Sequence, residues 1–296
     1  MKKLAAINRK FKVLDAFYIA MMILPILCGI VLQVLTKPQS EGITLTGARI
    51  FFTIPMPIQN FPVTEAQVNS AIVMISIFFL CLYLTHGMKE HIELKRQHFA
   101  ELIVEKVDAL VKDNMGEYFM GYSAFVISIL ALSAFSSLLS LFGLFPPTSD
   151  VNIVGGWAIL VFFLIMYYKL KCGPLYYLKG LTEPVPLLAP INLISELSTP
   201  ISMAFRHYGN VLSGTVISIL LATALGGLSS LVLGSLPGIL GDIPLFQIGI
   251  PAVLSIYFDV FSGCLQAFIF AMLTMMNISS GFPLEEYRKR QLKKKA

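Results

Sequence analysis

The sequence predicts an all-α membrane protein with about six transmembrane helices. The last two are long and tilted, and an amphipathic helix lies on the cytoplasmic surface. Three observations carry that prediction. Of 296 residues, 56% are hydrophobic and only 13% charged, against about 25% charged in a soluble domain. Apolar runs long enough to cross a bilayer recur along the chain. Basic residues gather in every second connection between those runs. Backbone groups in lipid must pair within their own segment or in a closed barrel, and the alternation of a barrel strand is absent, so the spans are helices.

The predicted spans run roughly over 15–36, 69–88, 118–145, 151–170, 188–235 and 244–280. The first follows Lys2, Lys3, Arg9, Lys10 and Lys12, as in a signal peptide. Its apolar stretch of about 20 residues is long for such a leader, and no small-residue cleavage pattern follows it. Leu27 spoils a lipoprotein reading of Leu24–Cys28. An uncleaved spanning helix is expected. Between the second and third spans, His91 to Asp113 places Phe99, Leu102, Ile103, Val107, Leu110 and Val111 at helical spacing. That pattern predicts a helix lying on the membrane surface, with a solvated connector helix as the alternative. Residues 201–235 alone would make a helix of about 50 Å, against a bilayer core of about 30 Å, so this span must tilt or run along something. Pro190 and Pro200 are expected to break its approach. Gly209, Gly214, Gly226 and Gly227 offer small surfaces for close helix contact. The turn LPGILGDIP then leads to the last span.

Orientation follows from charge. Nineteen of the 22 Lys and Arg residues fall in 1–14, 89–117, 169–187 and the tail after 281. The opposite connections hold only Lys37 and Arg49. The positive-inside rule then puts both termini in the cytoplasm of a multi-pass protein, and a bacterial plasma membrane fits the bias.

The formal net charge of +5 comes from these loop clusters, and no nucleic-acid motif accompanies it. Cys28, Cys81, Cys172 and Cys264 form no CxxC pair, and three sit inside apolar runs. Buried free thiols are expected, with neither zinc nor a disulfide framework. No phosphate-binding loop, nucleophile elbow or metalloprotease motif appears. The chain has no catalytic site of its own, and no cofactor or metal is expected.

Arg206 carries the clearest chemical signal. A charge at bilayer depth costs at least about 2.5–3.5 kcal/mol and needs a partner or water. Snorkelling to the interface is the plainer alternative. Ser202, Arg206, Asn210 and Ser213 share one helical face, and a polar stripe favours a cavity or partner over lipid. Asp259 and Gln266, seven apart, share a face on the last helix, and Asn277 continues it. An acidic group within an apolar run is a functional candidate by default; an interhelical hydrogen bond is the alternative. Glu196 lies ten residues before Arg206, near the cytoplasmic face. His207 is expected to be a satisfied packing histidine.

At these residues the chain resembles subunit a of F-type ATP synthases. The resemblance rests on PLLAPINLISELSTPISMAFRHYGNVLSG, on LQAFIFAMLTMMNIS, and on MGYSAFVISILALSAFSSLLSLFGLFPPTSDVNI. It runs from near Gln67 to about Ser280, so residues 1–68 read as an extra N-terminal transmembrane helix with an outer loop, and 69–296 as the shared membrane domain. The resemblance implies a stator that faces a rotating c-ring, beside peripheral-stalk b subunits and the remaining synthase subunits. Two half-channels would open to opposite sides, with an arginine between them that discharges ring carboxylates. Arg206 matches that arginine, Asn210 and Gln266 its polar neighbours, and Glu196 an acidic position on the cytoplasmic route. Asp259 falls where the family often has glutamate or histidine on the outer route. His207 and Tyr208 depart from the usual Leu-Phe, Thr215 stands where glutamate or histidine is frequent, and Ser140 replaces an asparagine. A self-contained ion-coupled secondary transporter is the alternative, although no internal repeat of the kind such folds carry is visible.

Overall fold

The structure is a computed structural model that describes residues 2–36, 47–57, 59–88, 95–171, 173–182, 186–233, 246, 249, 253–254 and 256–295. In chain order its elements are α1 (Lys2–Thr36), β1 (Ile50–Ile54), β2 (Phe61–Thr64), α2 (Glu65–Thr85), α3 (Lys95–Met115), α4 (Ser123–Leu138), α5 (Val151–Lys171), α6 (Pro174–Thr182), α7 (Ala189–Leu233), α8 (Gly263–Ser280) and α9 (Leu284–Lys295). A π-helical segment, Ile256–Ser262, leads directly into α8. Among the described residues six helical stretches are long and apolar enough to cross a membrane: Lys12–Thr36, Glu65–Thr85, Glu117–Phe142, Val151–Lys171, Pro186–Val232 and Ile256–Ser280. The expected all-α membrane architecture is therefore the one found.

Helix α1 lies along α2. A side chain at Gly29 would come within 2.8 Å of Ile72 Cδ1, so the bare backbone lets the two helices touch. Ser76 Oγ donates to Met22 O at 3.0 Å in the same seam. The segment between these helices holds a feature the sequence reading did not foresee. Strands β1 and β2 pair antiparallel, with Ile50 opposite Thr64. A two-stranded ribbon is marginal alone, and this one is tied to α2. Thr64 caps the helix, exchanging bonds with Gln67 in a capping box, and Glu65 N donates to Arg49 O at 2.7 Å.

The core joins α3, α4, α5, α7 and α8. Val126, Val161, Ile165, Met203, Phe270 and Met275 are all buried within it. The helix predicted from His91 is present from Lys95; residues 91–94 lie outside the described ones. Its Val107, Leu110 and Val111 pack on this core, whereas Phe99 and Leu102 are exposed.

Three expectations are corrected. Pro190 and Pro200 do not break the approach to Arg206, because α7 runs unbroken for 45 residues with Pro200 inside it. Pro190 falls in the first turn, where the missing N–H has no partner to lose. The helix is about 68 Å long, more than twice the bilayer core. Gly209 and Gly227 meet nothing within 4 Å, while Gly214 sits against Phe258. Cys28, Cys81 and Cys264 are free, as expected, but exposed rather than buried. An apolar residue on a membrane helix need not face the protein interior, because lipid covers it as well. The LPGILGDIP turn and Cys172 lie outside the described residues.

Candidate functional site

The rotation of α7 about its axis decides what Arg206 faces. Met203, Ala204, His207 and Gly214 are buried, which fixes one stripe of the helix against the bundle. His207 is fully buried. Its Nε2 lies 3.2 Å from Ser133 Oγ on α4, and its ring packs edge-on to Trp157 and Phe270 at centroid distances of 6.1 and 5.5 Å. Nδ1 is buried and has no hydrogen-bond partner among the described residues. His207 is thus a packing residue satisfied on one nitrogen, and it locks the helix. Adjacent residues diverge by about 100°, so Arg206 turns outward. It is exposed, and it makes no hydrogen bond or ion pair among the described residues. Ser202 and Ser213 are also exposed, as are the large apolar side chains Ile201, Phe205 and Leu212. The guanidinium therefore stands within an apolar face that the described residues do not cover.

Asn210 sits at the edge of that face and joins α7 to the π-helical segment. Its Nδ2 donates to Ser262 Oγ at 2.9 Å, and Ser262 Oγ reaches Asn210 Oδ1 at 3.1 Å. Gln266 lies one turn further along, buried at the start of α8. Asp259 is half-buried within the π-helical segment. Such segments bond i to i+5 instead of i to i+4 and recur at functional sites. The seven-residue spacing from Asp259 to Gln266 therefore crosses a change of winding, and α-helical arithmetic does not place them on one face. Thr215 is exposed, and its Oγ1 returns to Val211 O at 3.0 Å within its own helix. Gly214 meets Phe258, so Thr215 and Asp259 each directly follow one partner of that contact.

Glu196 belongs to a separate cluster. It precedes Arg206 by ten residues, about 15 Å along α7. Its Oε1 accepts from Lys169 Nζ at 2.6 Å, and its Oε2 accepts from the Tyr177 hydroxyl. Burial first, then the bond to Glu196 and the charge of that carboxylate, push the Tyr177 hydroxyl above its ordinary pKa, so it stays protonated as the donor. Two cavities share a wall here. One, of about 430 Å³, is lined by Tyr176, Tyr177, Gly180, Leu181 and Asn192 among others. The other, of about 210 Å³, reaches Phe162, Met166, Thr199 and Asn277.

The structure thus brings Asn210 beside the segment that carries Asp259 and leads to Gln266. It leaves Arg206 facing outward and holds Glu196 in its own pocket. Sequence reasoning missed Ser262, Lys169 and Tyr177. A serine in an apolar run and a basic residue at a helix end carry no signal of their own; only the partner across the fold identifies them.

The family described as ATP synthase A chain matches residues 68–279. The chain is 28% identical over 273 residues to the sodium-ion-specific ATP synthase subunit a of Propionigenium modestum, covering 81% of this chain and 87% of that one. It is 31% identical over 196 residues to ATP synthase subunit a of a Sulfurihydrogenibium species, covering 64% of this chain and 84% of that one. With ATP synthase subunit a of Legionella pneumophila it shares 24% identity over 233 residues, 78% of this chain and 92% of that one.

Proposed function

This chain belongs to the ATP synthase A chain family, and from that premise we propose that it is the stator through which ions reach and leave a rotating c-ring. Membership makes it a multi-pass component of the membrane sector, active in ATP synthesis and ion transport together with other synthase subunits. The finer reading assigns roles to residues. Arg206 faces the ring and discharges its carboxylates. Asp259 lines the outer half-channel with Thr215 nearby, Asn210 and Gln266 are polar partners beside the path, and Glu196 belongs to the inner half-channel.

One observation carries the proposal: an exposed guanidinium on a membrane helix, without a partner among the described residues. Arginine keeps its charge at any accessible pH, and that charge is costly in lipid. A partner outside this chain resolves the cost. A ring carboxylate must be neutral, carrying a proton or sodium ion, while it faces lipid. Beside Arg206 its charged form is favoured, so the ion leaves. The same fixed charge repels a cation that would pass straight between the half-channels. Each elementary charge crossing the membrane field gains about 2.3 kcal/mol per 100 mV, and rotation captures that work only if direct leakage is blocked. The uncovered apolar residues around Arg206 supply a seal against the ring.

The test is Arg206→Ala in the assembled complex, reconstituted in vesicles. Ion-driven ATP synthesis is lost and passive ion conductance rises. Arg206→Lys also fails substantially, since an ammonium lacks the planar fork and shifts its pKa when buried. A silent Arg206→Lys is the result expected of a snorkelling side chain. Normal synthesis by a fully assembled Arg206→Ala complex overturns the assignment.

A further inference from the structure

The two cavities beside Glu196 share part of their walls. Lys169, Ser195, Glu196, Ser280 and Gly281 line both. The ion pair between Lys169 and Glu196, 2.6 Å long with side chains 23% and 18% exposed, belongs to that shared wall. On one side lies the shallow cavity under α6, and on the other the deeper cavity that reaches Thr199 and Asn277. We propose that Lys169 is an electrostatic gate of the inner ion path, closing the passage between these cavities by holding Glu196 and releasing it to let a cation through. The proposal rests on the half-channel reading given above and adds a residue to it.

Three features make the pair a gate rather than a simple staple. Both carboxylate oxygens of Glu196 accept from donors of this chain, one from Lys169 and the other from the Tyr177 hydroxyl, so a cation in the shallow cavity must compete with the bound ammonium for the carboxylate. While it holds Glu196, the ammonium places a positive charge at the passage and opposes any cation approaching the partition. Its stem also has a defined bed. A side chain at Gly281 would meet Lys169 Cε at 3.3 Å and Cγ at 3.4 Å, so glycine leaves the stem room to lie across the wall. A lysine is suited to the task because its charge rides on a flexible chain that can swing away, whereas a guanidinium binds a carboxylate in a rigid fork.

Accessibility tests the gate without needing ring rotation. In the complete synthase complex, with Cys28, Cys81, Cys172 and Cys264 replaced by serine, Thr199→Cys places a thiol in the deeper cavity. A cationic and a neutral methanethiosulfonate reagent of similar size are then applied from the cytoplasmic side. With Lys169 present, the cationic reagent reacts more slowly than the neutral one. Lys169→Met keeps the stem and removes the charge, and it raises the cationic rate several-fold relative to the neutral rate. Lys169→Arg restores the slow cationic rate. Lys169→Gln serves as the second variant should Lys169→Met fail to assemble. Equal cationic-to-neutral ratios in Lys169 and either neutral variant overturn the gate. That outcome leaves the stator reading intact wherever Arg206→Ala still abolishes synthesis, so the two failures are distinguishable.

Discussion

A single buried ring decides which way the Arg206 guanidinium points. His207 fills the space between α4, α5 and α8 and makes one polar contact, to Ser133 Oγ at 3.2 Å, while Nδ1 has none. An unsatisfied buried nitrogen costs about 1–3 kcal/mol, and a hydrocarbon of similar size loses nothing at that atom. His207→Leu is therefore expected to keep or slightly raise the stability of the solubilised subunit. His207→Ala leaves a cavity instead and costs on the order of 3–5 kcal/mol, as truncating a large buried ring does. Thermal unfolding in detergent checks both. The Ala variant is also expected to lower ATP synthesis with Arg206 still present, because α7 loses the contact that sets its rotation. At this scale the sequence was informative about charges and silent about partners. Arg206 and Asp259 stood out because they interrupt apolar runs. Ser262, by contrast, is one of many serines, and only its pairing with Asn210 across 52 positions reveals it.

Among the elements, helix periodicity was legible wherever winding was regular. The six spans, the amphipathic α3 and the exceptional length of α7 follow from apolar run length and spacing. Where winding changes, periodicity fails: the π-helical segment Ile256–Ser262 has no compositional mark, so the spacing of Asp259 and Gln266 does not place them on one face. The two-stranded ribbon was missed because β1 and β2 are only five and four residues long, shorter than a pattern of period two needs to declare itself. Immediately after the π-helical segment, α8 meets α4 at its tightest point. A Cβ on Gly263 would stand 2.7 Å from Ser137 Cβ, inside any tolerable contact. Gly263→Val is expected to destabilise the subunit by at least about 1–3 kcal/mol through overpacking and to reduce the amount assembled in membranes. Ser137→Gly in the same chain removes the opposing Cβ and is expected to recover part of that loss. Quantifying assembled subunit and its thermal midpoint in the single and double variants checks this; equal losses in both would mean that another contact is responsible.

Across the whole molecule, hydrogen bonds sort the helix ends into two groups, and the charges follow that sorting. At one end Gln33 Nε2 donates to Gly143 O at 2.6 Å and Asn69 Nδ2 donates to Phe145 O at 2.8 Å. These contacts gather the C-terminus of α1, the N-terminus of α2 and the turn between α4 and α5. At the other end Arg96 Nη1 reaches Asp15 Oδ1 at 2.6 Å and Arg96 Nη2 donates to His86 O at 2.7 Å. There the N-terminal part of α1 meets the C-terminus of α2 and the beginning of α3. Lys169, Tyr177 and Glu196 meet likewise at the join of α5, α6 and α7. The connections that the sequence makes basic are the ones at this second set of ends, and Lys37 and Arg49 alone mark the first set. Bacterial membranes retain Lys- and Arg-rich connections on the cytoplasmic side, so the second set is expected to face the cytoplasm, and both termini with it. An even span number puts the termini on one side, and the charge bias predicts which side that is. A cysteine replacing Met56 beside β1 is expected to react with a membrane-impermeant thiol reagent in intact cells, after the native cysteines are replaced by serine. A cysteine replacing Ala296 is expected to react only after the membrane is opened. Labelling of position 296 in intact cells, with position 56 protected, would invert the molecule. Labelling of both would require an odd number of crossings and would remove one of the six spans.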